Sequence, residues 1–214
     1  MRHELFEDRV DAGQKLAAVL RERGLQDAVV LALPRGGVPV AVEVAHALNA
    51  PLDLLLVRKI GARGNPELAV AAVADAQEPV IEVEETTLTM TGTSLEDVQR
   101  AVPQQLEEIE RRRRVYLKGR APVPVKGKTV VLVDDGIATG TTMRAALRAL
   151  RQRQPARVIV AVPVAPAEEV ERFLRDEVGE LICLAKLQSF GAVGAHYRNF
   201  DQTTDEEVIA LMNS

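Results

Sequence analysis

Five apolar runs of strand length recur along the chain: Ala28–Leu33 (AVVLAL), Leu52–Val57 (LDLLLV), Thr129–Val133 (TVVLV), Arg157–Val162 (RVIVAV) and Leu181–Leu187 (LICLAKL). Runs this continuous belong to strands covered on both faces, and segments of helical period lie between them. Helices packed on both sides of one sheet satisfy the two patterns together. The expectation is therefore an α/β fold with a central, mainly parallel sheet flanked by helices. The helices fall at residues 9–23, stopping at Gly24, and from the Pro34-Arg35-Gly36-Gly37 turn to about Asn49. Two more fall at Thr139–Arg153, whose basic last turn suits the helix dipole, and within APAEEVERFLRDEV. The closing TTDEEVIALM opens on Thr203 and Glu206, spaced as a capping pair.

Between the second and third runs the pattern changes. RKIGARGNPE carries Gly61, Gly64 and Pro66, which argue for an irregular, mobile loop, and Leu68–Ala74 and Pro79–Val83 read as two short strands that suit a hairpin. Ser94 and Asp97 cap a charged helix that runs to about Lys118, with a disturbance expected at Pro103. Arg111–Arg114 follow LEEIE, so acids and bases lie one turn apart and pair along a solvated face. Residues 86–127 suit a lid or an oligomer contact, which leaves a homodimer as an open expectation.

Composition narrows the function classes. Hydrophobic content of 47% with 27% charged residues describes an ordinary globular protein, and a net charge of −4 gives no general attraction to nucleic acid. No apolar run approaches the ~20 residues needed to cross a bilayer, so no membrane partner is expected. MRHELFEDRV has no apolar stretch behind its charges, and Cys183 is the single cysteine, so the expected location is cytoplasmic with no disulfide framework.

The chemistry concentrates in Thr129–Leu147, TVVLVDDGIATGTTMRAAL. Apolar β-formers end in Asp134 and Asp135, at the strand end where open α/β sheets bind ligands. ATGTT then turns backbone N–H groups, hydroxyls and a helix N-terminus toward one place, which makes an anion cradle. Gly140 admits close approach, and Thr139, Thr141 and Thr142 offer further donors. A P-loop needs Lys where Thr141 stands, and a dinucleotide fingerprint needs three spaced glycines where GIATG has two. A receiver-type acidic pair belongs near a domain's start, and a simple helix cap uses one Asp and no phosphate-type loop. The ligand implied carries a phosphate beside hydroxyls or a metal held by carboxylates.

VVLVDDGIATGTT, Val130–Thr142, resembles the signature with which type I phosphoribosyltransferases bind 5-phosphoribosyl-1-pyrophosphate (PRPP). It departs at Gly136, where the usual pattern has an aliphatic residue or Ser, and the glycine is expected to loosen the turn slightly. LPRGGVPVA resembles that family's pyrophosphate loop through Arg35, Gly36 and Gly37, and VRKIGARGNPELAVAAV resembles its basic strand end, with Arg58 and Lys59, and its flexible catalytic loop. Taken alone, the RGG turn and the two strand-end cations are weak signals; three matches in the family's order are not. The resemblance implies a single domain with a Rossmann-like core over residues 28–85 and 128–187, a helical insertion or lid over 86–127, and a small hood from 186–214 with part of the N-terminus.

The same resemblance implies an Mg2+-dependent transfer of ribose 5-phosphate from PRPP to a small acceptor, a nucleobase by family habit, with pyrophosphate leaving. Asp134 and Asp135 would hold ribose hydroxyls or the metal's waters, and Arg58, Lys59, Arg35, Gly36 and Gly37 the pyrophosphate. Ala138, Thr139, Gly140, Thr141 and Thr142 would hold the 5-phosphate. Phe190, Tyr197 and Phe200 either stack on a flat acceptor or plug the C-terminal helix, and His196 reads either as an acid or base on the acceptor or, preferred, as a lone surface residue. The alternatives are a non-catalytic PRPP-binding regulator and a PRPP-forming kinase, for which no ATP site is visible.

Overall fold

The computed structural model describes residues 4–74, 76–176 and 180–213. In chain order the first elements are α1 (Arg9–Arg21), β1 (Ala28–Ala32), α2 (Gly37–Leu48), β2 (Leu52–Leu54), β3 (Val57–Ala62), β4 (Asn65–Ala74) and β5 (Val80–Val83). There follow α3 (Glu85–Thr91), α4 (Leu95–Leu117), β6 (Thr129–Val133), α5 (Thr141–Gln152), β7 (Arg157–Pro166), α6 (Ala167–Asp176) and β8 (Glu180–Leu187), then a 3-10 turn (Val193–His196) and α7 (Asp205–Leu211). The described residues of Met1–Leu55, Arg120–Ala138 and Gln154–Ser214 form one compact unit, and Leu56–Gly119 with Thr139–Arg153 form a second.

The first unit is built on a five-stranded parallel sheet in the order β2-β1-β6-β7-β8. Val29–Ala32 of β1 and Val130–Val133 of β6 are fully buried, which is why both read as unbroken apolar runs. From β1 the chain goes first to one side and then to the other, so a topological switch point opens between the C-terminal ends of β1 and β6. Helices α1 and α2 pack together beside the sheet, and α6 covers β7 and β8. The N-terminal stretch joins the other end of the chain: Leu5 and Phe6 N–H groups donate to the His196 carbonyl, and Arg198 N–H donates back to Phe6. The helix expected to run through Val178 is described to Asp176, its last two residues lying outside the described set.

The second unit is an antiparallel sheet, β3-β4-β5, with α3, α4 and α5 packed on it. Ala72 and Ala74 of β4 meet Ala145 and Ala149 of α5, small residues that bring helix and sheet close. Here the structure corrects the sequence reading. LDLLLV divides, with Leu52–Leu54 in the parallel sheet and Val57 opening the second one. The expected irregular loop is a β-hairpin, β3 and β4 turning at Arg63-Gly64, with Gly64 at φ +80°. Gly61 sits where the register shifts, and a side chain there would lie 2.2 Å from the Pro66 carbonyl oxygen; the two breakers make a bulge inside a ladder.

Ser94 and Asp97 form a full capping box, and α4 continues through Pro103 with Val98, Ile109, Tyr116 and Leu117 buried along it. The final helix starts one residue later than expected, with Thr204 and Glu207 as its capping box in place of Thr203 and Glu206. Among the described residues, no helix is long and apolar enough to cross a membrane.

Candidate functional site

Two loops meet at the switch point of the first unit. Leu33 N–H donates to the Val133 carbonyl at 2.9 Å, which holds the end of β1 against the end of β6. The turn Pro34–Gly37 then crosses directly over the acidic pair, with a cis peptide between Pro34 and Arg35. A Cβ on Gly36 would lie 2.1 Å from Asp135 Oδ2, and one on Gly37 would lie 2.9 Å from the Val133 carbonyl oxygen and 3.0 Å from Asp134 Cα. Close approach of backbone thus requires Gly37, and Gly36 leaves the room that the Asp135 carboxylate occupies. Asp134 Oδ1 accepts from the Asp135 N–H at 2.9 Å, a local bond that orients the pair. Arg35 Nη1 reaches Asp205 Oδ1 of α7 at 3.2 Å.

Asp135 has two partners absent from the sequence reading. Arg9, the first residue of α1, donates from Nε to Asp135 Oδ2 at 2.8 Å and from Nη1 to the Asp201 carbonyl at 2.7 Å. Its guanidinium carbon stands 3.8 Å from the Phe200 ring centroid, a cation–π contact. Tyr197 donates its hydroxyl to the Asp135 carbonyl at 2.6 Å. Burial, aided by the Asp135 charge, pushes that phenol well above its ordinary pKa. Arg9 was invisible beforehand because one Arg at a helix start, 126 residues from its partner, carries no local signal.

The three aromatic residues suggested for stacking belong to a packed cluster. Tyr197 is 4% exposed and its ring touches Phe6 and Phe200 at centroid distances of 5.3 and 5.0 Å, while Phe190 lies 5.0 Å from the His196 ring. With Val164 and Val193 they build an apolar plug in which Tyr197 has no open face for an acceptor. His196 corrects the surface reading: it is 5% exposed, Nε2 donates to the Phe190 carbonyl at 2.8 Å, and Nδ1 is buried without a partner among the described residues. Gly136 is closely packed against side chains of two other segments. A Cβ there would stand 2.7 Å from Val193 Cγ1 and 3.0 Å from Val164 Cγ1, so the aliphatic residue usual at this place has no room.

At Ala138–Thr139 the chain passes into the second unit. Gly140, at φ +74°, is the N-cap of α5 and offers no side-chain cap, so the first amides of the helix keep the anion-binding character of an open N-terminus. Arg144 is 6% exposed and gathers the turn: Nη2 donates to the Thr139 carbonyl at 3.0 Å and to Glu84 Oε2 at 3.2 Å, and Nε lies 3.4 Å from Glu82 Oε1. Thr141 Oγ1 donates to Glu84 Oε2 at 3.0 Å. Alternation puts Glu82 and Glu84 on one side of the strand end, and helical spacing puts Arg144 and Arg148 one turn apart. Each half of that match is legible in sequence, but their facing is not.

Arg58 and Lys59 stand on β3 of the second sheet, opposite Val73 and Ala72, and not at an end of the parallel sheet. Arg58 Nε donates to Gln105 Oε1 of α4 at 3.2 Å, and Lys59 is exposed. Among the described residues no cluster of three or more His, Cys, Asp or Glu forms a metal cage. Asp134 and Asp135 do supply the hard oxygen donors that Mg2+ takes in ones and twos alongside substrate oxygens.

Comparisons with known proteins identify the family. A profile of the phosphoribosyl transferase domain family matches residues 3–178. A Mycobacterium tuberculosis protein whose name assigns it provisionally to the phosphoribosyl transferases is 44% identical over 211 residues, which is 98% of this chain and 47% of that protein. The chain therefore spans about half the length of the curated relatives it first matches. The crystal structure of TT1426 from Thermus thermophilus is 45% identical, with a TM-score of 0.78 and 97% of both chains covered. The bifunctional protein PyrR of Chloroflexus aurantiacus is 34% identical over 127 residues, 56% of this chain and 63% of its own.

Proposed function

We propose, since this chain belongs to the phosphoribosyl transferase domain family, that it transfers ribose 5-phosphate from PRPP to a small acceptor of nucleobase type and releases pyrophosphate. The observation that carries the reading is the fit of Gly36 over Asp135, because two loops from distant parts of the sequence close on one carboxylate at the switch point. Breaking the bond to pyrophosphate leaves positive charge on the ribose ring, so catalysis is mainly the placement of charge.

Asp134 and Asp135 supply negative potential and acceptors for the ribose hydroxyls. Mg2+, held by that pair and by substrate oxygens, would neutralise charge on the leaving group. The Arg35–Gly37 turn offers backbone amides and a cation to pyrophosphate, and Arg58 and Lys59 are assigned to the same group from the family pattern. The turn Ala138–Thr142, which continues the chain from the acidic pair, receives the 5-phosphate on its backbone amides and so fixes the reacting carbon. Of the three aromatic residues, Tyr197 is buried, which leaves the half-buried rings of Phe190 and Phe200 to meet the acceptor.

A second reading, a PRPP-binding regulator without turnover, draws support from the Arg9–Asp135 ion pair, which occupies one oxygen of a carboxylate that catalysis would use. Calorimetric titration with PRPP, with and without Mg2+, separates these readings when joined to a pyrophosphate-release assay across nucleobases. Transfer requires Mg2+-dependent binding that is lost in the Asp134→Asn, Asp135→Asn double variant, and release with at least one base. Binding without release favours the regulator, and no binding at millimolar PRPP removes both.

A further inference from the structure

The hydrogen-bond directions in the turn before α5 assign its hydroxyl protons. Glu84 Oε2 accepts from Thr141 Oγ1 at 3.0 Å and from Arg144 Nη2 at 3.2 Å. A carboxylate has no proton to return, so the single Thr141 proton belongs to Glu84. Thr139 Oγ1 stands 3.1 Å from Thr141 Oγ1. Because the Thr141 proton is already committed, Thr139 is the donor in that pair and its proton is committed too. Arg144 Nη2 approaches the same Thr141 oxygen at 3.4 Å and closes the ring of contacts. Both hydroxyl protons are therefore engaged within the turn. Thr142, half-buried, has a hydroxyl that makes no hydrogen bond among the described residues.

Charge follows the same plan. Glu82 and Glu84 on the β5 side meet Arg144 and Arg148 of α5, with Arg148 Nη1 at 2.7 Å from Glu82 Oε2. Two carboxylates balanced by two guanidinium groups leave the partial charge of the helix N-terminus as the local field. Arg144 also holds the Thr139 carbonyl, so the backbone on the open side of Gly140 is fixed from below. A carboxylate beside a phosphate cup would otherwise repel the anion; here it is neutralised and used as an anchor.

We propose that Glu84 is a positioning residue of the phosphate-binding turn. It engages the Thr139 and Thr141 hydroxyl protons within the turn and, with Arg144, leaves the 5-phosphate to the amides of α5 and to Thr142 Oγ1. The assignment rests on the transferase reading and adds a division of labour among three threonines that the motif alone treats as equivalent donors.

The experiment measures ribose 5-phosphate and Mg2+-pyrophosphate binding separately by calorimetry. Thr142→Val lowers ribose 5-phosphate affinity about tenfold or more, the scale of a lost hydrogen bond to a charged group, and Thr139→Val changes it by less than about threefold. Glu84→Ala lowers ribose 5-phosphate affinity and leaves pyrophosphate affinity unchanged, and Glu84→Gln, which keeps an acceptor oxygen, restores most of it. Circular dichroism confirms the fold of each variant, and if Glu84→Ala does not fold, the threonine pair and Glu84→Gln still decide.

Equal losses in Thr139→Val and Thr142→Val overturn the assignment, as does a Glu84→Ala loss shared by both ligands. Wild-type protein that binds neither PRPP nor ribose 5-phosphate removes the transferase reading, and the assignment with it.

Discussion

Arg9 Nε lies 2.8 Å from Asp135 Oδ2, with the two side chains 12% and 15% exposed. The contact ties the start of α1 to the acidic pair, and the stacking of the guanidinium on Phe200 extends it to the segment after the 3-10 turn. Arg9→Ala is expected to cost about 2 kcal/mol, between the values for exposed and fully buried pairs, because it takes a guanidinium away from a largely covered carboxylate. The melting temperature then falls by roughly 4–8 °C. Arg9→Lys recovers only part, since an ammonium cannot stack and donate sideways together. Scanning fluorimetry of the three proteins checks the order.

Gly36 and Gly24 make a contrast. Gly36→Ala puts a methyl 2.1 Å from Asp135 Oδ2, so the turn or the carboxylate must move, and PRPP affinity falls at least about tenfold with the secondary structure intact. Gly24→Ala meets nothing within 4 Å among the described residues but sits at φ +57°, so it loses about 1 kcal/mol of stability and leaves binding unchanged. Titration and thermal melts of both variants test this.

The Cys183 thiol is pushed up to about 11 by burial, and its Sγ–H donates to the Ala185 carbonyl at 3.2 Å. At pH 8 the thiolate is scarce, and alkylation of the native protein runs about a hundredfold slower than in urea. A native rate equal to the denatured one contradicts the placement of this residue.

Glu108 is held down to about 2, first by its bond to Arg111 and then by Arg112. A lowered value in the folded state means that the stabilisation is complete above the ordinary 4.5 and is lost as pH falls from there toward 2. The groups are near the surface, so the effect stays below about 1 kcal/mol. The stability difference between wild type and Glu108→Gln at pH 7 should therefore shrink by pH 3, as read from urea unfolding.

The parallel sheet was legible because its strands are covered on both faces, which forces unbroken apolar runs such as TVVLV, and because the intervening helices are amphipathic. The acidic pair and the turn after it were legible because their chemistry lies in consecutive residues. The β3–β4 hairpin was not. Gly61 and Pro66 are breakers locally, and only their packing against each other converts them into a bulge. His196 looked exposed because a lone His carries no sign of the Phe190 ring and carbonyl that enclose it.

By itself, then, the sequence determined the class of fold, the order of the parallel strands' motifs and the local chemistry of Asp134–Thr142, because each depends on neighbours a few residues apart. Tertiary structure decided what those groups face. Arg9 reaches Asp135 across 126 residues, Glu84 takes the Thr141 proton across 57, and Tyr197 is buried against Phe6. Such pairings depend on which faces the packed helices and sheets bring together, and a side chain's partner at that separation has no periodicity to announce it.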